Sequence, residues 1–171
     1  MIEFFGISFL QMIAYLKGDA TAPQVPGPAI LPHIVNSVGA WGAGYVLAIS
    51  KRWSTPEDTY RKWAKDPGFA LGRTQFVKVE PNMWVANMVA QEGLGRSADG
   101  RIPLRYKALE SCLWEVAKFA LAQEETPTIH MPRIGAGLGG GSWAKVEAII
   151  EKTLGPFSVY VYDFPGSRFN P

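Results

Sequence analysis

Two glycine-rich segments have the composition and the position in the sequence that suit a site for binding an anion. They are residues 39–44 (GAWGAG) and 135–141 (GAGLGGG), each between a predicted strand and a predicted helix. A loop without Cβ atoms lets successive backbone N–H groups approach an anion, and the helix N-terminus beyond it offers further unpaired donors. Neither segment contains Lys or Arg, and Arg133 is the nearest cation. The two segments therefore predict a phosphate site in which backbone dipoles meet the charge.

Two other interpretations of these glycines stay open at this point. Either segment alone is equally well explained by a tight turn and close helix packing. Gly135, Gly137 and Gly140 also match the spacing G-x-G-x-x-G, with Asp163 about where an acid that binds ribose would follow. That fingerprint normally opens a larger doubly wound sheet, whereas only one helix and one strand fit after Gly140. An NAD-type dinucleotide site is therefore kept as a minor alternative.

Alternating strand and helix patterns must position the two segments. Runs of β-branched and aromatic residues predict strands at Ile13–Lys17, Ala29–Asn36, Thr74–Glu80, 83–89, Thr128–Pro132 and 158–164. Apolar residues at intervals of three and four predict helices from about Pro103 to Leu121, after Ser142, after Gly44 and around 57–63. This alternation predicts an α/β domain.

Four local features carry expectations of their own. Pro103 suits the first turn of its helix, and Ser142 suits the N-cap of the next helix. Pro32 cannot donate to a ladder, so its strand should be bulged or weakly paired there. Residues 91–102 are irregular and contain Gly, Ser and Asp, which predicts a mobile surface loop.

Composition limits the class of protein. Of the 171 residues, 47% are hydrophobic and 19% are charged, as in ordinary globular domains. Lys and Arg number 17 against 15 Asp and Glu without a basic block, which argues against a strong nucleic-acid footprint. With Cys112 as the single cysteine, disulfide scaffolds and zinc fingers lose their support, and a reducing, cytoplasmic location is expected. No apolar run approaches the roughly 18 residues of a bilayer-spanning helix, so no membrane association is expected.

Several segments together resemble the macro domain family. They are residues 15–21 (YLKGDAT), 33–36 (HIVN) leading into 39–44, and 131–138 (MPRIGAGL) before Ser142 and Trp143. Their order and spacing are similar to that family from residue 13 to 164. His33, Asn36 and the WGAG run are most similar to the ADP-ribose 1″-phosphate phosphatase branch, and the terminal ADP-ribose protein glycohydrolase branch is similar too. The resemblance implies one three-layer α/β/α domain over residues 12–171, with a central mixed β-sheet.

The resemblance also implies how individual residues bind ADP-ribose. Asp19, with Ala20 beside it, would accept a hydrogen bond from the adenine amino group, and Phe164 would pack on the adenine face. Asn36 would hold the distal ribose, because an amide both donates and accepts. Trp41 would be either a lid over the ligand or an anchor for the next helix. The diphosphate would lie between Gly42, Ala43 and Gly44 on one side and Gly135, Ala136, Gly137, Leu138 and Gly139 on the other.

The sequence departs from the family at positions that carry catalysis in some branches. One hydrolase branch has an acidic residue after the first glycine segment, where this chain has Tyr45 and Val46. The glycohydrolase branch uses a lysine and an acid where this chain has Met88 and Gly139, so a covalent lysyl intermediate is not expected. His33 and Asn36 remain as candidates to orient water or a leaving group.

Four further residues have structural interpretations beside the functional ones. A histidine in an apolar strand is more often a structural donor than a proton shuttle, and this alternative stays open for His33. His130 and Cys112 are assigned to the core. Asp163 is either a second polar contact near adenine or an exposed acid.

The sequence as a whole predicts a macro domain that binds ADP-ribose or ADP-ribose 1″-phosphate. Hydrolysis at the distal ribose, of a 1″-phosphate or of an ester-linked ADP-ribosyl group, is the enzymatic hypothesis. A non-catalytic reader of ADP-ribosylated macromolecules is the alternative. No cofactor and no metal are expected, and a monomer is predicted. Because Met12 opens the first predicted strand, residues 1–11 are expected to be an optional extension or the product of an early start codon. A secretion signal is not expected there, since the one charged residue before the apolar run is the acidic Glu3.

Overall fold

The computed structural model describes residues 13–166, so the predicted extension at residues 1–11 lies outside the described residues. The strands are β1 (Ile13–Lys17), β2 (Ala29–Asn36), β3 (Thr74–Glu80), β4 (Met83–Gln91), β5 (Thr128–Pro132) and β6 (Val159–Asp163). The helices are α1 (Tyr45–Arg52), α2 (Thr55–Trp63), α3 (Tyr106–Leu121) and α4 (Trp143–Leu154). The predicted elements are all present, and their ends agree to within three residues.

The strands form one sheet in the order β1-β6-β5-β2-β4-β3. Neighbouring strands pair in parallel along this order except for β3, which pairs antiparallel with β4 at one edge. The sheet is therefore mixed, and the predicted α/β class is confirmed. Parallel pairs need long connections between their strands, and the helices supply most of them.

Side chains on β2 alternate between the two faces of the sheet. Ala29, Leu31 and Val35 pack in a core with α1 and α2, whereas Ile30 packs in a second core with α3 and α4. A central strand that is buried on both faces has this continuous apolar composition. The sheet thus lies between two helical layers, which is the three-layer arrangement that the sequence predicts.

The loops after β2 and β5 leave the sheet at the same edge because these strands are parallel. Ladder pairing between the two strands joins only Ala29 and Ile30 to Thr128 and Ile129 among the described residues. Beyond Ile30 the strands separate, and a cleft opens between their carboxyl ends. Open α/β sheets bind ligands in such crevices.

The prediction for Pro32 fails on the side of β2 that pairs with β4 and holds on the side that faces β5. Pairing of β2 with β4 continues without a shift through Pro32 and Ala86, so there is no bulge at Pro32. The irregularity lies instead between Val35 and Asn36. Pairing with β5 has already ended at Ile30, so the weak pairing expected near a residue without an N–H occurs on that side.

The prediction that Pro103 begins a helix is wrong. Leu104 forms a bridge with Gln91, and the N–H of Arg105 donates to the carbonyl oxygen of Ala90 at 2.8 Å. These contacts continue the β4 ladder, so α3 begins only at Tyr106. Tertiary pairing here overrides the local preference of proline for a helical first turn.

The two helices that follow the glycine-rich segments begin directly at the cleft. α1 follows Gly44, whose positive φ of 80° turns the chain into the helix, and α4 follows Ser142. Ser142 is the N-cap residue as predicted, although its side chain makes no capping hydrogen bond. Of the helices within residues 13–166, none is long and apolar enough to cross a membrane.

Candidate functional site

The cleft contains two connected cavities. The larger, of about 540 Å³, lies between the ends of β2 and β5. The smaller, of about 280 Å³, lies beside the ends of β1 and β6. Gly44, Tyr45 and Pro132 line both cavities, which therefore form one continuous site.

Most of the predicted site residues line this cleft. The larger cavity is lined by His33, Asn36, Gly42, Ala43, Gly44, Gly135, Gly137, Leu138 and Gly139. The smaller cavity is lined by Asp19, Ala20 and Phe164. Trp41 and Ala136 line neither of these two cavities of residues 13–166.

The pairing of β2 with β4 shifts between Val35 and Asn36, where β4 contains one extra residue. The hydroxyl of Tyr60 on α2 contacts the side chain of Asn36 at this end of the strand. Asn36 is thereby connected to the helical layer that contains α2.

The amide of Asn36 determines the shape of the first glycine-rich segment. Its Oδ1 accepts hydrogen bonds from the backbone N–H groups of Val38 and Ala40 at 3.1 and 3.0 Å and from Tyr60 Oη at 3.0 Å. Its Nδ2 donates to the carbonyl oxygen of Ala40 at 2.7 Å. The oxygen is fully engaged, so one N–H of the amide is what Asn36 offers to a ligand.

Trp41 is an anchor for α1. Its side chain is 5% exposed, and its Nε1 donates to Ser50 Oγ on α1 at 2.8 Å. The indole also packs against the rings of Tyr60 and His33. Of the two roles that the sequence left open, the structure supports the anchor. Ala136 packs against the core under α3 and α4. Contact of either residue with a ligand stays a prediction.

The second glycine-rich segment packs against itself and against Leu104, which lies just before α3. Gly135 has a φ of 74°, and a Cβ there would lie 2.9 Å from Leu104 Cδ2. The N–H of Gly141 donates to the carbonyl oxygen of Gly135 at 2.7 Å, and a Cβ on Gly141 would also collide with Leu104. Glycine is required at both positions by the fold itself.

Backbone N–H groups of the two segments are available to a ligand. Among residues 13–166, the amides of Gly42, Ala43, Gly44, Gly137, Leu138 and Gly139 donate no hydrogen bond. These residues line the larger cavity from two sides. Successive unpaired N–H groups around a concave surface are a common way to bind phosphate.

Gly42 and Gly137 point to a close approach of the ligand. Neither has a positive φ, and a Cβ on either would meet no atom within 4 Å. The fold itself therefore accepts a larger residue at both positions. Because both line the larger cavity, a molecule that lies against the backbone is a physical reason for glycine here.

The smaller cavity contains Asp19, whose geometry is set by a local turn. Asp19 Oδ1 accepts hydrogen bonds from the backbone N–H and the hydroxyl of Thr21 at 2.8 and 2.7 Å. Arg52 Nη2 lies 3.9 Å from the other oxygen, Oδ2. That second oxygen is the acceptor that Asp19 offers to a ligand. Phe164 lines the same cavity and is exposed.

Arg133 and Asp163 form an ion pair at the edge of the cleft. Arg133 Nε and Nη2 donate to the two carboxylate oxygens of Asp163 at 2.6 and 3.0 Å, and this pairing lowers the pKa of Asp163. The guanidinium also lies over the rings of Tyr15 and Trp143, 4.8 and 5.2 Å from their centroids. Asp163 is therefore a partner of Arg133, a role that neither of the two alternatives from the sequence includes.

His33 belongs to a buried chain of polar side chains. Its Nε2 lies 2.5 Å from Asn87 Oδ1, and Asn87 Nδ2 donates to Gln75 Oε1 and to the carbonyl oxygen of Pro56. Because Asn87 Oδ1 must accept, we assign the proton of the neutral imidazole to Nε2. His33 Nδ1 is then a bare acceptor, and no side chain or backbone group of residues 13–166 pairs with it.

The predicted core residues lie in the core. His130 is fully buried between Thr128 Oγ1 and Tyr162 Oη, at 2.8 Å from each. Cys112 is fully buried on the apolar face of α3, and burial raises the pKa of its thiol to about 12. The expectation that both serve packing is confirmed.

The two buried histidines predict a loss of stability in acid. Burial lowers the pKa of His33 and of His130 from 6.5 to about 4. As the pH falls below 6.5, the unfolded chain takes up protons that the native chain does not. The free energy of unfolding should therefore be lower at pH 5 than at pH 7.5 by about 1 to 2 kcal/mol for each histidine. Urea titrations at the two pH values measure this, and an unchanged pH dependence in His130→Gln would contradict it.

Several residues of the cleft escaped the sequence analysis. Gln91 and Leu94, from the segment predicted to be a mobile surface loop, line the larger cavity. Tyr45 lines both cavities, although its predicted significance was only that it stands where one hydrolase branch has an acid. Its position directly after Gly44, at the first residue of a helix that opens onto the cleft, was the available signal.

A mixed sheet between two helical layers, with both glycine-rich segments at one edge, defines a three-layer α/β/α domain with a ligand cleft. No family model matches the sequence. The chain is 30% identical to an ADP-ribose 1″-phosphate phosphatase of Meyerozyma guilliermondii over 174 residues, which cover 89% of this chain and 99% of the relative.

Two solved structures of bacterial proteins are similar over almost their whole length. One is a protein of unknown function from Bacteroides thetaiotaomicron, with 46% identity and a TM-score of 0.87 over 90% of this chain and 99% of that one. The other is a macrodomain protein from Streptomyces coelicolor, with 44% identity and a TM-score of 0.77 over 89% and 99%. The chain belongs to the macro domain family.

Proposed function

We propose that this chain binds ADP-ribose along the whole cleft. Asp19 and Phe164 hold the adenine in the smaller cavity, the two glycine-rich segments hold the diphosphate, and the distal ribose lies near Asn36. The observation that carries the proposal is the set of unpaired backbone amides on both sides of the larger cavity. They supply donors for a diphosphate without a charged side chain in either segment.

The order of groups along the cleft supports the assignment of the two ends. The smaller cavity has one carboxylate acceptor, Asp19 Oδ2, and an exposed aromatic ring, which suit an amino-substituted planar base. The larger cavity has the amide-lined walls, which suit phosphate and sugar. The cavities join at Gly44, where a diphosphate would begin.

We further propose hydrolysis at the distal ribose, of a 1″-phosphate or of an ester-linked ADP-ribosyl group. Hydrolysis consumes one water and breaks the bond that joins the distal ribose at its 1″ position to the phosphoryl or acyl group. The ribose keeps a free 1″-hydroxyl, and the other product is inorganic phosphate or the free acid. The neutral Nδ1 of His33 can accept a hydrogen bond from water, and burial keeps the pKa of His33 at about 4, so it stays neutral at pH 7. The 30% identity to an ADP-ribose 1″-phosphate phosphatase supports the first substrate.

A non-catalytic reader is the second candidate, and a specific observation favours it. Met88 is fully buried in the core, and Gly139 carries no side chain, so the lysine and the acid of the glycohydrolase branch have no substitute at these positions. The remaining candidates, His33 and Asn36, already hold structural hydrogen bonds. Catalysis would therefore depend on positioning and fixed dipoles.

Turnover of ADP-ribose 1″-phosphate separates the two candidates. We expect the parent protein to release phosphate and His33→Ala to release it at least about tenfold more slowly, because a water-orienting acceptor is lost. His33→Gln, which retains polar atoms, and His130→Gln, a buried histidine outside the cleft, are the controls. Binding without phosphate release would assign the reader function instead.

Calorimetry with NAD and ADP-ribose tests the dinucleotide alternative. A cleft shaped for a free distal ribose should bind ADP-ribose and reject the added nicotinamide. Equal affinity for both ligands would favour the NAD-type site.

A further inference from the structure

Two buried polar side-chain atoms within residues 13–166 have no hydrogen-bond partner, and both belong to residues that line the cleft. They are His33 Nδ1 and the hydroxyl oxygen of Tyr45. A buried hydroxyl without a partner costs about 1–3 kcal/mol. A ligand bound in the cleft would supply a partner, and the neighbours of Tyr45 indicate which part of the ligand it would meet.

The charged and polar neighbours of the Tyr45 hydroxyl relate it to the smaller cavity. Tyr45 lines both cavities, but the neighbouring groups whose charges act on its hydroxyl are Asp19, Arg52 and Tyr162. Asp19 and Tyr162 line the smaller cavity and not the larger one. These shared neighbours are our ground for assigning the hydroxyl to the end of the cleft where the base and its ribose would bind.

The polar neighbours of this hydroxyl already have partners. Asp19 Oδ1 accepts two hydrogen bonds from Thr21, and Tyr162 Oη contacts His130 Nδ1 at 2.8 Å and accepts from the N–H of Gln24 at 3.0 Å. These contacts fix Asp19 and Tyr162 in place. Besides Asp19 Oδ2, the hydroxyl of Tyr45 is a side-chain group at this end, within residues 13–166, that makes no hydrogen bond.

Tyr45 would act as a hydrogen-bond donor. Burial raises the pKa of its phenol, and the nearby Asp19 carboxylate raises it further, so the hydroxyl keeps its proton at neutral pH. A ring nitrogen of adenine or a hydroxyl oxygen of the attached ribose is a suitable acceptor.

We propose that Tyr45 is a specificity-determining residue whose hydroxyl donates a hydrogen bond to the nucleoside half of the bound ligand. This inference rests on the proposed binding of ADP-ribose. It adds to Asp19 a second polar contact at this end of the cleft. It also gives a reason for a tyrosine at the first residue of α1, where the fold needs only an apolar ring.

Calorimetry with ADP and ADP-ribose tests the proposal on the full chain. Both ligands contain the nucleoside half, and only ADP-ribose contains the distal ribose. We expect Tyr45→Phe to weaken both by the same factor, about five- to tenfold, which is the effect of one hydrogen bond. Tyr160→Phe is the matched control, because Tyr160 lines neither cavity, and it should leave both affinities unchanged.

Thermal unfolding of the free proteins supplies an independent measurement. Because Tyr45→Phe removes a buried hydroxyl without a partner, its melting temperature should equal or exceed that of the parent. A lower melting temperature would mean that the hydroxyl is satisfied within the protein, for instance through His33, and would overturn the proposal.

The remaining outcomes are equally decisive. Unchanged affinities in Tyr45→Phe, or a loss confined to ADP-ribose, would overturn the assignment to the nucleoside half. If the parent protein binds neither ligand, the proposed function itself fails, and the inference fails with it. Binding by the parent with no effect of the variant leaves the proposed function intact and rejects the inference alone.

Discussion

Gly42→Val is expected to reduce the affinity for ADP-ribose at least about a hundredfold while leaving the fold intact. A Cβ at Gly42 would meet no protein atom within 4 Å, so the added side chain would begin in open space beside the larger cavity. It would occupy the volume that the diphosphate needs and would keep the ligand from the neighbouring N–H groups. The loss of several such contacts corresponds to about 3 kcal/mol or more of binding free energy.

The same variant should change the free energy of unfolding by less than about 1 kcal/mol, as other exposed substitutions do. Gly68→Val is the matched control, because Gly68 also has open space around it and lies outside both cavities. Calorimetry and urea titration measure the two quantities. Retention of affinity in Gly42→Val would contradict the placement of the ligand against this segment.

Asn36→Ala should have the largest effect on stability among the cleft residues. It would leave the N–H groups of Val38 and Ala40 and the carbonyl oxygen of Ala40 without their partner. Tyr60 would lose one of the two oxygens of Asn36 that its hydroxyl contacts. We expect the free energy of unfolding to fall by about 2–4 kcal/mol. Binding of ADP-ribose should be lost as well, because the first glycine-rich segment would no longer be held in shape.

Asn82→Ala, at an exposed turn, is the control for this substitution and should be nearly neutral. Asn36→Asp separates shape from ligand contact, because the carboxylate retains the accepting oxygen and loses the Nδ2 donors. It should keep more of the stability than Asn36→Ala. Equal stability of Asn36→Ala and the parent would show that the segment does not depend on this amide.

Taken together, the charges of the cleft favour recognition by backbone donors. The cation nearest the second segment, Arg133, is bound in a bidentate pair with Asp163, and the pair is neutral as a unit. Arg133 therefore orients the end of β5 against β6 more than it supplies free positive charge. Phosphate binding in this cleft would then depend weakly on salt, in contrast to sites built from lysines.

The order of elements and the location of the site could be predicted from local patterns. Short apolar runs and periodic helices specify the elements because each pattern reflects which faces of that element are buried. The glycine-rich segments mark the site because chains without Cβ atoms at strand-to-helix junctions expose their amides. Each of these patterns is formed by residues that lie within a few positions of one another in the chain. Tertiary structure is therefore not needed to detect it.

The sequence by itself therefore determined the α/β class, the position of both segments at the carboxyl ends of strands, and the core location of His130 and Cys112. Only the tertiary structure decided how Asn36, Trp41 and Asp163 are used, because their partners Tyr60, Ser50 and Arg133 lie 9 to 30 residues away. It also decided that Leu104 extends a strand where Pro103 suggested a helix. A hydrogen bond or ion pair between distant residues leaves no periodic trace in the sequence, and so such contacts are visible only after the chain has folded.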